Sequence, residues 1–178
     1  RAYDDIGMRV SFCFNALNQN RLAYEADKRI VARLPEDLRA VASSYITRRT
    51  VSIDDYLDLF DRLRTETWAN ERIRIQLAPA NLHWCSDDAL LAFHEKARAS
   101  AVPMHMHLLE TRYQRDYAQR RTGGTAVRHL ERLGLLGPHM TLGHATWMDE
   151  GDIDIAAATG TCICHNCSSN MRLGSGKA

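Results

Sequence analysis

Five times along the chain a short run of β-forming residues gives way to a polar residue and then to a helical pattern. Met8–Phe14 leads into Asn15, and Ile73–Leu77 leads into an Ala78–Cys85 loop that holds His83. Pro103–Leu108 ends at Glu110, Met140–Gly143 ends at His144, and Thr161–Cys164 runs into His165 and Asn166. Strands separated by helices must pair in parallel, because a tight hairpin cannot connect them. The polar residues then gather along one edge of the sheet, at the C-terminal ends of the strands.

An open doubly wound sheet concentrates its site at a single switch point. Here consecutive strands each deliver a ligand-type residue, which is the habit of a barrel. The expected fold is α/β: a partial (β/α)8 TIM-type barrel of about five consecutive β/α units. A closed barrel needs eight units and about 250 residues, against 178 here. Residues 1–178 are therefore read as one catalytic barrel domain, incomplete at both ends. The chain begins in what reads as the tail of a helix and stops at the loop GSGKA, so the interior of a longer protein is expected.

The helices carry ordinary start and stop signals. Gly7 ends a short first segment, Arg21–Leu34 is helical until Pro35 stops it, and Glu36–Tyr45 is a second helix. Ser52 with Asp55 forms a capping box for a helix whose apolar face is Ile53, Tyr56, Leu57, Phe60 and Leu63. Ser86 caps a helix to about Ser100, helices follow over Arg112–Arg121 and Thr125–Leu133, and Asp149 opens one that Gly160 closes.

Chemistry concentrates in PMHMHLLET, residues 103–111. His105 and His107 are two apart and share one strand face, and Glu110 follows at the strand end. A histidine and a carboxylate at that edge suit a metal-bound water and the base that takes its proton. Two histidines on a strand can equally be satisfied core groups, and Glu110 a carboxylate favoured by a helix dipole, at about 0.3–1 kcal/mol. Composition removes other classes. A net charge of +1 leaves no basic footprint for nucleic acid or an anionic membrane, and no apolar run spans a bilayer. The odd set Cys13, Cys85, Cys162, Cys164 and Cys167 favours reduced, buried thiols and a cytoplasmic setting over a zinc or iron–sulfur cluster.

The ordered motifs HLLET, LGHATWMDEGDI and CHNCSSNMRLGSG resemble those of the amidohydrolase superfamily, in the branch of cytosine, guanine and adenosine-type deaminases and triazine chlorohydrolases. The resemblance covers essentially the whole chain. It implies one catalytic divalent metal ion, zinc or iron, with His107 as a ligand. It makes Glu110 the proton shuttle and His144 the histidine that contacts the nucleophile or substrate. His165 and Asn166 shape the substrate pocket, and Ser169, Asn170 and Gly174 help fold it. His83 is a candidate substrate contact, and His105, one layer deeper than His107, a supporting or core residue. Only one of the four metal ligands expected from the resemblance is in the chain. The branch's A-P-H is Ala78-Pro79-Ala80 here, and the proline of its H-N-P is Cys167.

The activity expected is hydrolysis of a C–N or C–halogen bond on a small heterocycle, above all deamination. Hydrolysis of an amide or cyclic amide on the same scaffold, and a metal-free fragment or paralogue that only binds, are the other readings. Members of the branch are often dimers, so a homodimer is the assembly the resemblance implies.

Overall fold

The computed structural model describes residues 2–176. After a short helix α1 (Ala2–Asp5), the five strands expected appear as seven segments among the described residues. They are β1 (Val10–Phe12), β2 (Asn15–Ala16), β3 (Ile73–Ile75), β4 (Ala78–Pro79), β5 (Met104–Leu108), β6 (Met140–His144) and β7 (Cys162–Cys164). The first two expected strands are each broken in two, and the pieces keep their partners: β1 pairs with β3 and β2 with β4. The residues after Leu77, expected as a loop, thus open with a two-residue strand. Every strand pair is parallel. A Leu77–Met104 bridge and the bonds His105 N–H to Leu77 O (3.0 Å) and His107 N–H to Ala80 O (3.2 Å) join the second line of strand to β5. The strands therefore follow one another in sequence order across an open parallel arc, as the five consecutive units require.

Helices α2 (Asp27–Arg33), α3 (Glu36–Arg48) and α4 (Ile53–Thr67) lie between β2 and β3. Helix α5 (Asp87–Ser100) precedes β5, α6 (Arg112–Thr122) and α7 (Ala126–Arg132) precede β6, and α8 (Glu150–Thr159) precedes β7. The helix expected from Arg21 starts only at Asp27, because the preceding residues form a bridge between Ala23 and Glu25. The segment after His165, expected as a loop, is helix α9 (Cys167–Leu173). Its polar residues conceal it: Asn170 is buried against other parts of the chain.

Alternation along β5 sorts the two faces. Met104, Met106 and Leu108 are buried under the helices, while His105 and His107 are half-buried on the other side. The core adds Phe60, Leu77, Leu90, Phe93, Leu130, Met140 and Leu142, and each such side chain contributes roughly 1.5–3 kcal/mol. Register places Thr141 and Gly143, then Cys162 and Cys164, in the rows of His105 and His107. All five cysteines are free, but Cys162, Cys164 and Cys167 are exposed, which corrects the expectation of buried thiols. Cys162 and Cys164 lie on a strand that pairs on one side only among the described residues. No described helix is long and apolar enough to cross a membrane.

Candidate active site

The tips of β5 and β6 bring His105, His107, Glu110 and His144 together. The His105 and His107 rings stand edge-on with centroids 5.7 Å apart, and His107 and His144 are 5.4 Å apart. His144 Nε2 lies 3.8 Å from Glu110 Oε1. Strict alternation would put His144 on the opposite face from His107, because it pairs in register with Leu108. Left-handed backbone at His144 (φ 72°) and Ala145 (φ 52°), with Leu109 (φ 51°) at the neighbouring tip, re-aims the chain there. Each such residue costs of order 1–3 kcal/mol and persists only where surrounding contacts impose it. Two bonds across the tips do so: Ala145 N–H to Leu108 O (3.0 Å) and Trp147 N–H to Leu109 O (3.1 Å).

Two of the three imidazoles are oriented through Nδ1. His107 Nδ1 lies 3.3 Å from Ala80 O, which leaves Nε2 for a ligand. A backbone carbonyl holding the other ring nitrogen is the usual support of a metal-binding histidine. His144 Nδ1 lies 2.7 Å from Asn170 Oδ1, and the Asn170 amide donates to Thr146 Oγ1 at 3.1 Å. That amide orientation makes Nδ1 the protonated nitrogen of a neutral His144 and turns Nε2 toward Glu110. Glu110 sits just before Thr111, the N-cap of α6, and its own N–H is held by Gln114 Oε1 at 2.8 Å. His105 titrates below its ordinary value, first through burial and then through the nearby His107 and His144. Gly143 leaves room for it: a Cβ there would sit 3.2 Å from His105 Nε2.

The remaining candidates divide. His165 is exposed at the end of β7 and shares with His144 a cavity of about 610 Å³. That cavity is otherwise mostly apolar (Ile153, Ala156, Ala157, Ile163), with the hydroxyl-bearing Thr146 and Thr161 in its wall, and reaches along α8, away from the row of His105 and His107. Asn166 is the N-cap of α9 and accepts from Cys164 Sγ at 3.4 Å. His83 is not among the four clustered residues. It is 4% exposed and packed against Tyr24 (4.5 Å), Trp84 (4.2 Å) and Tyr117 (6.0 Å), and burial pushes its pKa down to about 4.

Sequence reasoning missed Asn81, which is 1% exposed. Its amide nitrogen and His83 Nδ1 are buried without a hydrogen-bond partner among the described residues. The run Asn18-Gln19-Asn20 clamps this loop: Asn18 donates to Ser86 Oγ (2.9 Å), and Gln19 (3.2 Å) and Asn20 (2.8 Å) both donate to His83 O. Three consecutive amides after a strand were the legible signal.

His107, with Nδ1 held by Ala80 O, is the residue of this cluster that could hold one position of a metal shell. The described residues hold no group of three or more His, Cys, Asp or Glu placed to bind a metal by themselves.

A 5'-deoxyadenosine deaminase of Methanosarcina barkeri is 36% identical over 110 residues, 62% of this chain and 26% of that protein. A 5-methylthioadenosine/S-adenosylhomocysteine deaminase of Symbiobacterium thermophilum is 37% identical over 126 residues, 70% of this chain and 28% of the relative. The chain thus spans about a quarter of the length of the curated relatives it matches. Among solved structures, an adenosine deaminase from Xanthomonas campestris with bound zinc superposes over 99% of this chain and 34% of its own, with TM-score 0.77 at 20% identity. Atrazine chlorohydrolase from Arthrobacter aurescens TC1, complexed with zinc, does so over 97% of this chain and 35% of its own, with TM-score 0.76 at 20% identity. The amidohydrolase family model matches residues 7–178, and the chain belongs to that family.

Proposed function

We propose that the protein carrying this chain is a cytoplasmic, metal-dependent hydrolase that removes an exocyclic amine from a heterocycle, most simply from an adenosine modified at its 5' position. The observation that carries this reading is the convergence of one carboxylate and two imidazoles at adjacent strand tips, with Glu110 3.8 Å from His144 and His144 5.4 Å from His107. The names of the relatives supply the substrate class.

His107 would hold one position of a divalent metal ion through Nε2. Such an ion, when bound, lowers the pKa of water from 15.7 to about 7. Glu110, at the mouth of α6, accepts the proton of the attacking water and returns it to a ring nitrogen or to the departing amine. His144, fixed by Asn170, presents Nε2 to the same centre and orients the oxygen that adds to the ring. His105 sits beside His107 and limits its movement. His165 and Asn166 border the substrate on the β7 side.

The test is ammonia release by the full-length protein from a panel of purine nucleosides, pyrimidines and triazines, with metal content measured on the same preparation. Ammonia from an adenosine derivative with about one metal ion per chain is the expected result. Chloride release alone, amide hydrolysis alone, or full activity in a metal-free preparation would overturn it.

A further inference from the structure

The loop after β4 is buried although it holds no helix or strand: Asn81, Leu82, His83 and Cys85 are at most 4% exposed. Buried backbone oxygens need donors, and four successive carbonyls here take theirs from outside the loop. Trp84 O accepts the N–H groups of Asn18 (2.9 Å) and Gln19 (3.1 Å), and His83 O accepts the side chains of Gln19 and Asn20. Leu82 O and Cys85 O both accept Arg121 Nη1, the latter at 2.9 Å, and Gln19 also reaches Cys85 O at 3.1 Å. Arg121 is therefore the one donor to Leu82 O among the described residues, and the one charged group in the set.

Arg121 stands in the last turn of α6, with its side chain 18% exposed. Asp87, at the start of α5, meets its charge by accepting Nη2. Asp87 also holds His129 Nε2 of α7 (2.9 Å), and Arg132 Nη2 reaches His129 Nδ1 (3.4 Å). One guanidinium thus serves two carbonyls and a carboxylate at once, which its planar fork permits and a lysine ammonium does not.

This clamp closes a circuit through the site. Helix α6 starts at its cap Thr111, directly after Glu110, and its last turn grips the loop through Arg121. The loop follows Ala80, whose oxygen accepts the His107 backbone N–H (3.2 Å) and faces His107 Nδ1 (3.3 Å). A carbonyl oxygen only accepts, so it keeps the ring proton on Nδ1 and leaves Nε2 open. We propose that Arg121 is a positioning residue for His107: by fixing the carbonyls of the buried loop it holds Ala80 O against the imidazole and keeps Nε2 aimed at the metal position. The proposal rests on the reading of His107 as a metal ligand.

The test uses full-length protein carrying Arg121→Met, Arg121→Lys or Arg132→Gln, with two readouts. The first is the rate at which a chelator strips zinc from the loaded protein. The second is the imidazole nitrogen chemical shifts of His107 in metal-free, histidine-labelled protein, which report the tautomer. Loss of a group that orients a metal-bound histidine costs about 10–100-fold in metal affinity. Arg121 acts one step further away, so Arg121→Met should speed zinc loss by roughly 10-fold and mix the two tautomers of His107. Arg121→Lys should recover part of both. Arg132→Gln removes a charge from the same network without touching the loop, and should stay within about twofold of the parent. A lowered melting temperature with parent rates of zinc loss and parent ring shifts would show that Arg121 only packs α6, and overturns the proposal. An equal effect of Arg132→Gln overturns it too. Should Arg121→Met not fold, Arg121→Lys decides: faster zinc loss with a mixed His107 ring supports the proposal, and parent values overturn it. A parent protein that holds no zinc would remove His107 as a ligand, while the ring shifts would still decide whether Arg121 fixes it.

Discussion

Helix α5 buries Ala89, Leu90, Phe93 and Ala97, whereas α3, only one residue shorter, buries none of its side chains, and neither does α2. The two regions flank the same strand edge. The α5–β5–β6 side carries Met104, Met106, Met140 and Leu142, all at most 1% exposed, and the carboxylate and imidazoles stand at its tips. The α2–α3 side leaves Leu38 and Val41 exposed and contributes arginines and tyrosines to a pocket wall. Groups that must be held within a fraction of an ångström need packed elements beneath them, and lightly anchored elements tolerate variation.

If that division is right, the largest effect of any single change falls at the β5 tip. Glu110→Gln keeps the shape and removes the proposed proton acceptor, so kcat for the full-length protein should fall about 10²–10⁴-fold with the melting temperature unchanged. A loss below tenfold would move the shuttle elsewhere and dissolve the contrast. For stability the contrast predicts that Phe93→Ala, at a 1% exposed position, costs about 3–5 kcal/mol. Val41→Ala, at a 63% exposed position, should stay within about 0.5 kcal/mol. Urea unfolding of both variants reads this directly, and equal shifts would mean that α3 is as firmly packed as α5.

His83 sits at the seam, and its titration sharpens the boundary. Folded, it is neutral down to a pKa of about 4, because burial disfavours the imidazolium. Unfolded, its pKa is near 6.5. Between those values the unfolded chain binds more protons, so stability rises with pH there. The contribution is fully present above pH 6.5 and is lost progressively as pH falls to about 4, up to about 3 kcal/mol. His83→Phe, which keeps a ring among Tyr24, Trp84 and Tyr117, should flatten the acid limb of stability over that window. A variant whose melting temperature falls with pH as steeply as the parent's would show that His83 takes up its proton without leaving the loop.

The same division governs what could be read from residues alone. Strand β5 and helices α5 and α8 were legible nearly to the residue, because period-two burial and capping side chains set their limits locally. The break between β1 and β2 was not, because it answers to partners far away in sequence: Asn15 pairs with Ala78, and Ala16 with Pro79. Helix α9 was hidden by a composition of Ser and Asn, and its reason is the contact of Asn170 with His144. The cluster of His107, Glu110 and His144 was foreseen, but the left-handed turn that places His144 on the right face was not.

The smallest effect separates two capping boxes of one design. Ser52 and Asp55 close the start of α4 in solvent. Asp149 and Asp152 close the start of α8, but Asp152 is 1% exposed and also takes the Thr125 hydroxyl, which ties α7 to α8. Burial raises the Asp152 pKa against the bonds from Thr125 and the Asp149 backbone, so its carboxylate depends on those donors. Asp152→Asn turns one acceptor into a donor facing them and should cost about 1–3 kcal/mol. Ser52→Ala loses one solvent-facing cap and should cost about 1 kcal/mol. Reversal of that order in urea titrations would mean that the α4 cap anchors the α2–α3 side more firmly than its exposure indicates, and the contrast between the two regions would then lie in chemistry alone.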